Sequence, residues 1–145
     1  MMKKIGIGGD HAGYDYKEKM VKALTKAGYE VKDYGPDSNA SVDYPDYVHP
    51  LSTAVENGEH DLGIVICGSG NGVAITANKH QGIRAALCWD EELAELSRQH
   101  NNANVLAIPA RFVTYELAEK MANIFLTTEF EGGRHQNRVD KIACK

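Results

Sequence analysis

The segment Leu62–Cys67 has six consecutive residues without a charged side chain, and it runs directly into Gly68-Ser69-Gly70-Asn71-Gly72. An apolar run without alternation is typical of a strand that is covered on both faces, as in a parallel sheet. Parallel strands require long crossover connections, which are usually helices. The segment therefore predicts an α/β fold with helices on both faces of the sheet.

The rest of the chain repeats this pattern of short apolar segments and helical periodicity. The predicted strands cover residues 3–8, 30–34, 62–67, 83–88 and 104–108, and the predicted helices lie near residues 17–27, 46–57, 73–79, 91–100, 115–126 and 134–142. With right-handed crossovers, these elements predict a single-domain, Rossmann-like three-layer α/β/α fold with a five-stranded parallel sheet and a C-terminal helical tail. No linker or repeat divides residues 1–145.

Charge is distributed unevenly along the chain. The formal net charge is −4, but residues 134–145 hold four Lys or Arg against one Asp, so the tail carries +3 and residues 1–133 carry −7. An acidic body argues against nonspecific nucleic-acid binding, and a basic tail indicates one local anion site. No apolar stretch is long enough for a membrane span. Three widely spaced cysteines fit a reducing compartment, so we expect a cytoplasmic protein.

Ligands of parallel sheets bind beyond the carboxyl ends of the strands. The loop of residues 68–72 is one such place, and its N–H groups could face an anion or an oxyanion. The loop lacks the Gly-Lys-Ser/Thr of a Walker A motif and the third glycine of the dinucleotide fingerprint. Cys67 precedes the loop, where it is either a small buried hydrophobe or a thiolate that acts as base or nucleophile.

Other polar residues near predicted strand or helix ends are also open to two interpretations. Asp10 and His11 either supply an acid/base and an anion contact or hydrogen-bond their own turn. His100 is either functional or a helix-end cap. Arg134 and Arg138 lie four residues apart, as in a phosphate fork or a solvated helix face, and Arg111 could join them. The histidines show no metal-ligand spacing, so we expect neither a metal site nor a cofactor.

Seven stretches together resemble the type B ribose-5-phosphate isomerase family over essentially the whole chain. They lie at residues 8–13 (Gly-Gly-Asp-His-Ala-Gly), 42–47 (Val-Asp-Tyr-Pro-Asp-Tyr), 63–72, 77–79, 82–86, 96–107 and 131–139. The resemblance implies metal-free interconversion of D-ribose 5-phosphate and D-ribulose 5-phosphate. It also implies a homodimer, or a tetramer, whose sites lie at the subunit interface.

The resemblance also implies roles for individual residues. Cys67 matches the base that moves a proton between C2 and C1 through an enediolate. Ser69 and the N–H groups of Gly68, Gly70, Asn71 and Gly72 match the oxyanion stabilisers. His100 with Asp10 matches the pair that opens the furanose ring. The remaining matched positions are sugar contacts at Tyr44 and Asn101 and phosphate contacts at His11, Arg111, Arg134 and Arg138.

Two positions depart from the commonest family pattern. Ser69 stands where many members have Thr, which keeps the hydroxyl but loses the methyl that restrains its rotamer. One branch of the family lacks the cysteine and uses a Glu after the glycine loop. This chain has Val73 there, so its chemistry depends on Cys67. The alternatives are an isomerase of allose or galactose 6-phosphate and a noncatalytic phosphosugar-binding module.

Overall fold

The computed structural model describes residues 2–144 and has five strands in one sheet. The strands are β1 (Lys4–Gly9), β2 (Glu30–Asp33), β3 (Leu62–Cys67), β4 (Ala85–Leu87) and β5 (Val105–Pro109). The helices are α1 (Tyr14–Lys26), α2 (Pro45–Glu56), α3 (Asn71–Ala77), α4 (Glu91–Gln99), α5 (Tyr115–Thr127) and α6 (Arg134–Asp140). The sheet is parallel throughout, with the order β2-β1-β3-β5-β4. The predicted α/β fold and its five-stranded sheet are confirmed.

Alternation along the central strand divides the core between the two faces of the sheet. Ile64 and Ile66 of β3 pack with residues of α1 and α5, including Met20 and Phe125. Val65 and Cys67 point the other way, into a second cluster with residues of α2 and α3. All six residues of β3 are buried. The uninterrupted apolar run therefore reflects a strand covered on both faces, as predicted.

Helix α3 and strand β4 differ in extent from the prediction for identifiable reasons. Helix α3 begins at Asn71, inside the glycine loop, because Gly70 adopts a positive φ of 74° and turns the chain directly into the helix. Strand β4 is shorter than residues 83–88. The N–H groups of Arg84 and Ala85 bond to the side-chain oxygens of Asn104 and Asn78. Within residues 2–144, no helix has the length and apolar character needed to cross a membrane.

The carboxyl ends of β1, β3 and β5 meet at one edge of the sheet. The N–H of Asp10, which follows β1, donates to the carbonyl of Ile66 at 3.2 Å. On the other side, the N–H groups of Ala110 and Arg111 donate to the carbonyls of Cys67 and Gly68. These bonds dock the loops after β1 and β5 onto the end of β3.

Gly13 packs so closely against β3 that a larger residue does not fit. A Cβ atom at this position would lie 2.3 Å from the carbonyl oxygen of Ile66. We predict that Gly13→Ala lowers the free energy of unfolding by about 1–3 kcal/mol, the usual cost of overpacking. Urea titration measures the loss. Gly8→Ala is the control, because its new methyl would come no closer than 3.3 Å to its nearest neighbour, Tyr34. Equal losses in both variants would contradict the close packing at Gly13.

Candidate active site

A cavity of about 480 Å³ opens at the edge where the loops after β1, β3 and β5 meet. Its lining comprises Asp10, His11, Ala12, Tyr44, Cys67, Gly68, Ser69, Gly72, Arg111 and Phe112. The order β2-β1-β3 makes the boundary between β1 and β3 a topological switch point, where ligands of open parallel sheets bind. The cavity has the size of a small-molecule site. Most residues expected at the site therefore surround one cavity.

Cys67 lies at the base of this cavity as the last residue of β3. Its side chain is 5% exposed and belongs to the cluster formed with α2 and α3. The N–H of Gly70 donates a hydrogen bond to Sγ at 3.2 Å. Cys67 is therefore a buried core residue that also lines the cavity, and its role as a base or nucleophile stays a prediction.

Some N–H groups of the glycine loop are already engaged in local hydrogen bonds. The N–H of Asn71 donates to Oγ of Ser69 at 3.2 Å, which orients the exposed Ser69 hydroxyl. Together with the Gly70 bond to sulfur, this engages two N–H groups of the loop. The N–H groups of Ser69 and Gly72 take part in neither bond. They are the better candidates for donating to an oxyanion.

Two glycines of the loop allow close approach by larger side chains. A Cβ atom at Gly72 would lie 2.4 Å from Cζ of Tyr44, so the tyrosine ring rests directly on the backbone. A Cβ atom at Gly68 would lie 3.2 Å from Cδ and Nη1 of Arg111. The absence of side chains at these glycines therefore lets a phenol and a guanidinium reach the cavity next to Cys67.

Asp10 and His11 hydrogen-bond their local backbone and also line the cavity. Oδ1 of Asp10 accepts from the N–H groups of Ala12 and Gly13, at 2.9 and 3.2 Å. Nδ1 of His11 accepts from the N–H of Val42 at 3.3 Å. A neutral imidazole that accepts at Nδ1 carries its proton on Nε2. These contacts fix both side chains and give His11 a donor at its other nitrogen.

The remaining predicted residues lie at the opposite edge of the sheet. Helix α4 starts after the carboxyl end of β4 and runs back for nine residues, about 13 Å, to His100 and Asn101. The N–H of Glu131 donates to the carbonyl of Gln99, which holds the segment before α6 at the same edge. Arg134 and Arg138 are exposed on α6, so the helix expected there is present.

Asp10 and His100 are thus far apart within one chain. The family resemblance pairs them in ring opening, yet Asp10 follows β1 at the carboxyl edge and His100 follows α4 at the amino edge. A single copy of the chain presents two separate groups of the predicted residues. One group surrounds Cys67, and the other consists of His100, Asn101, Arg134 and Arg138.

The structure places two residues beside His100 that the sequence analysis did not select. Nε2 of His100 lies 3.8 Å from Oε1 of Glu131, and Nε2 of His135 lies 3.7 Å from the same oxygen. The two imidazoles stack, with centroids 4.4 Å apart and planes 12° from parallel. Desolvation and the charges of His100 and Arg134 lower the pKa of His135. The spacing of four residues between Glu131 and His135 could have indicated their contact from the sequence. The contact with His100 could not be seen in this way, because His100 is remote in sequence.

Two exposed aromatic side chains stand beside the cavity. Trp89 is 55% exposed and Phe112 is 75% exposed. With Ser69, Leu87 and Pro109 they line an adjoining hollow of about 370 Å³. Large exposed apolar side chains that cluster in this way commonly mark a binding surface. The cavity around Cys67 therefore opens beside a surface suited to contact with another molecule.

Comparison with known proteins places the chain among sugar-phosphate isomerases. A family model described as Ribose/Galactose Isomerase matches residues 5–142. Escherichia coli ribose-5-phosphate isomerase B is 48% identical, and the alignment covers 99% of this chain and 96% of the relative.

Solved structures agree with the sequence comparison. A ribose 5-phosphate isomerase from Thermotoga maritima superposes with a TM-score of 0.96 at 46% identity, with 99% of each chain covered. Ribose-5-phosphate isomerase B from Mycoplasma genitalium, solved with bound ribulose 5-phosphate, has a TM-score of 0.93 at 45% identity and covers 98% of this chain and 95% of its own. The resemblance found in the sequence is confirmed, and the chain belongs to the ribose/galactose isomerase family.

Proposed function

We propose that this protein interconverts D-ribose 5-phosphate and D-ribulose 5-phosphate as an aldose-ketose isomerase. The observation that carries the proposal is the sulfur of Cys67 at the base of the cavity, held by the Gly70 N–H and flanked by Ser69. Relatives and solved structures named for this reaction support the choice of substrate. Residues 1–145 act as one sugar-phosphate isomerase domain without a cofactor. Three free cysteines fit a cytoplasmic location.

The reaction moves one proton between neighbouring carbons of the open-chain sugar. The Cys67 thiolate removes the proton from C2, and the C–H electron pair forms the C1–C2 double bond of an enediolate, with the negative charge on O1. The O2 proton then passes to O1, a carbonyl forms at C2, and Cys67 returns its proton to C1. The Ser69 hydroxyl and the N–H groups of Ser69 and Gly72 stabilise the oxyanion, an effect worth several kcal/mol at such sites.

Binding and ring opening require groups from both edges of the sheet. His11, Arg111, Arg134 and Arg138 hold the phosphate, because guanidinium groups and imidazole N–H groups are suited to its oxygens. Tyr44 and Asn101 contact sugar hydroxyls. His100 and Asp10 transfer the proton between the ring oxygen and O1 that opens the furanose.

A second copy of the chain supplies the missing half of each site. In a homodimer with a two-fold axis, the His100 edge of one subunit faces the Cys67 cavity of its partner, and the same contact occurs twice. The separation of the two groups, the exposed Trp89 and Phe112, and the opposite charges of the tail and the body support this arrangement. The assembly is a dimer, or a tetramer that consists of two such dimers.

We predict that Cys67→Ala abolishes isomerisation and leaves phosphosugar binding largely intact, because the base acts only in the chemical step. A coupled assay with chelator present measures turnover of ribose 5-phosphate, allose 6-phosphate and galactose 6-phosphate, and calorimetry measures binding. Cys88→Ala is the control, since Cys88 is buried away from the cavity. Unchanged turnover in Cys67→Ala would remove Cys67 from the mechanism. Preference for a six-carbon sugar would overturn the choice of substrate.

Alkylation should distinguish the same two cysteines chemically. Burial raises the pKa of Cys88 to about 11, so at pH 8 only about a thousandth of it is thiolate, the nucleophilic form. We predict that iodoacetamide inactivates the protein by modifying Cys67, that ribose 5-phosphate slows this modification, and that Cys88 stays unmodified. Peptide mass spectrometry after timed quenching measures each site. Inactivation that follows modification of exposed Cys144, with Cys67 intact, would contradict the assignment.

Replacing His100 should affect the two directions of the reaction unequally. We predict that His100→Asn slows turnover of ribose 5-phosphate by about a hundredfold, the lower end of the usual contribution of an acid/base group. The loss with ribulose 5-phosphate should be smaller, because a 2-ketopentose 5-phosphate cannot close a furanose ring. Turnover at saturating substrate in each direction measures the difference, because the reaction equilibrium fixes only the ratio of the two kcat/KM values. Equal losses would argue against a role in ring opening.

A further inference from the structure

We propose that His100, Glu131 and His135 form a binding site for a divalent transition-metal ion, with Zn²⁺ as the best fit, and that a bound ion inhibits the enzyme. The proposal of a binding site depends only on the positions of these three side chains. The inhibition rests on the proposed function, because it requires His100 to act on the substrate.

The three side chains lie close together at the end of α4. One ligand atom from each residue can be chosen so that all three lie within 4.8 Å of one another. Oε1 of Glu131 lies 3.8 Å from Nε2 of His100 and 3.7 Å from Nε2 of His135. Ligand atoms about 2.0–2.2 Å from a tetrahedral Zn²⁺ lie about 3.4 Å apart, so both contacts to Glu131 need to shorten by a few tenths of an ångström. One imidazole must also rotate out of the parallel stack, so that both rings point at the ion.

The donor set is chemically suited to zinc. Two imidazoles and one carboxylate are an established ligand combination for this ion, with water in the fourth position. The stacked rings bring two nitrogens to the same carboxylate oxygen. Arg134 lies next to His135 in sequence and Arg138 is on the same short helix, so their positive charges weaken cation binding. We therefore expect an exchangeable site and not a permanently filled one.

A second histidine pair provides a built-in comparison. Nδ1 of His49 lies 2.7 Å from Nε2 of His80, and the carboxylate of Glu56 lies 2.9 Å from Nδ1 of His80. Glu56 and His49 therefore contact the two opposite nitrogens of the His80 ring. To bind one ion, these three groups would have to separate and regroup, which is a larger change than the rotation of one ring, although their composition is the same as that of the proposed site.

A metal ion on His100 would remove the nitrogen that ring opening needs. It would also place positive charge beside Arg134 and occupy space at the edge that faces the partner's cavity. Substrate and metal should therefore exclude each other. The protein would lose activity as free Zn²⁺ rises and regain it when a chelator removes the ion.

Calorimetric titration of the intact protein with ZnCl₂ tests binding without reference to activity. We expect one ion per chain with a micromolar dissociation constant. His135→Gln and Glu131→Gln should each weaken binding by more than about tenfold, since even loss of an outer hydrogen-bond partner costs that much at zinc sites. The matched control His49→Gln should bind as the unchanged protein does. Cys67→Ala and Cys144→Ser should also retain binding, which excludes thiolate ligands.

Inhibition is measured separately by turnover of ribose 5-phosphate against free Zn²⁺. His135→Gln should retain turnover without metal and require more than tenfold higher Zn²⁺ for half inhibition. Millimolar binding, or equal loss in His49→Gln, would overturn the metal site. Tight binding that depends on Glu131 and His135 but leaves turnover unaffected would overturn only the inhibitory part, and it would count against His100 in the proposed mechanism.

Discussion

The parallel pairing of β3 with β1 on one side and β5 on the other is the constraint on which the rest of the structure depends. It places the ends of three strands at one edge, and the loops that follow donate hydrogen bonds to the carbonyls of Ile66, Cys67 and Gly68. Because β3 is covered on both faces, alternation sends Cys67 towards α2 and α3 while Ile66 packs against the opposite layer. The position of the sulfur thus follows from strand register.

The same pairing explains why we propose that two chains form each site. In a parallel sheet every helix returns from the carboxyl edge to the amino edge, so residues at the end of α4 cannot lie near the loop after β3. His100 and the arginines of α6 are consequently separated from the cavity by the height of the sheet. In the proposed two-fold assembly, this edge of one subunit faces the cavity of the other. The basic tail of one subunit then supplies the cations for a phosphate at its partner's site, which accounts for the uneven charge of the chain.

Most of the fold could be predicted from neighbouring residues in the sequence. The prediction failed where side chains from distant segments meet. The apolar run of β3 and the Thr114 cap of α5 identify their elements from neighbouring residues alone. The start of α3 depends on the positive φ of Gly70, which glycine permits but does not require. The short β4 depends on Asn78 and Asn104, whose side chains replace strand partners.

The candidate site, too, could be predicted only in part from neighbouring residues. The glycine loop and Cys67 could be selected because they end a recognisable strand. The pairing of His100 with Glu131 and His135 arises only when the segment before α6 docks on the end of α4. No spacing in the sequence encodes that contact, since it joins residues from two segments. The family resemblance supplied residue roles that periodicity could not, but it did not specify which subunit provides each residue.

In the proposed dimer, each active site combines Cys67 of one subunit with the arginines of the other. Mixed dimers test this arrangement. One chain carries Cys67→Ala and the other carries Arg134→Ala with Arg138→Ala, each with a different affinity tag, so that only mixed dimers are isolated. At low substrate concentration, we expect almost no activity for either parent. We expect about half of the unchanged activity for the mixed dimer, since one of its two sites is intact. A mixed dimer as inactive as its parents would contradict the shared site.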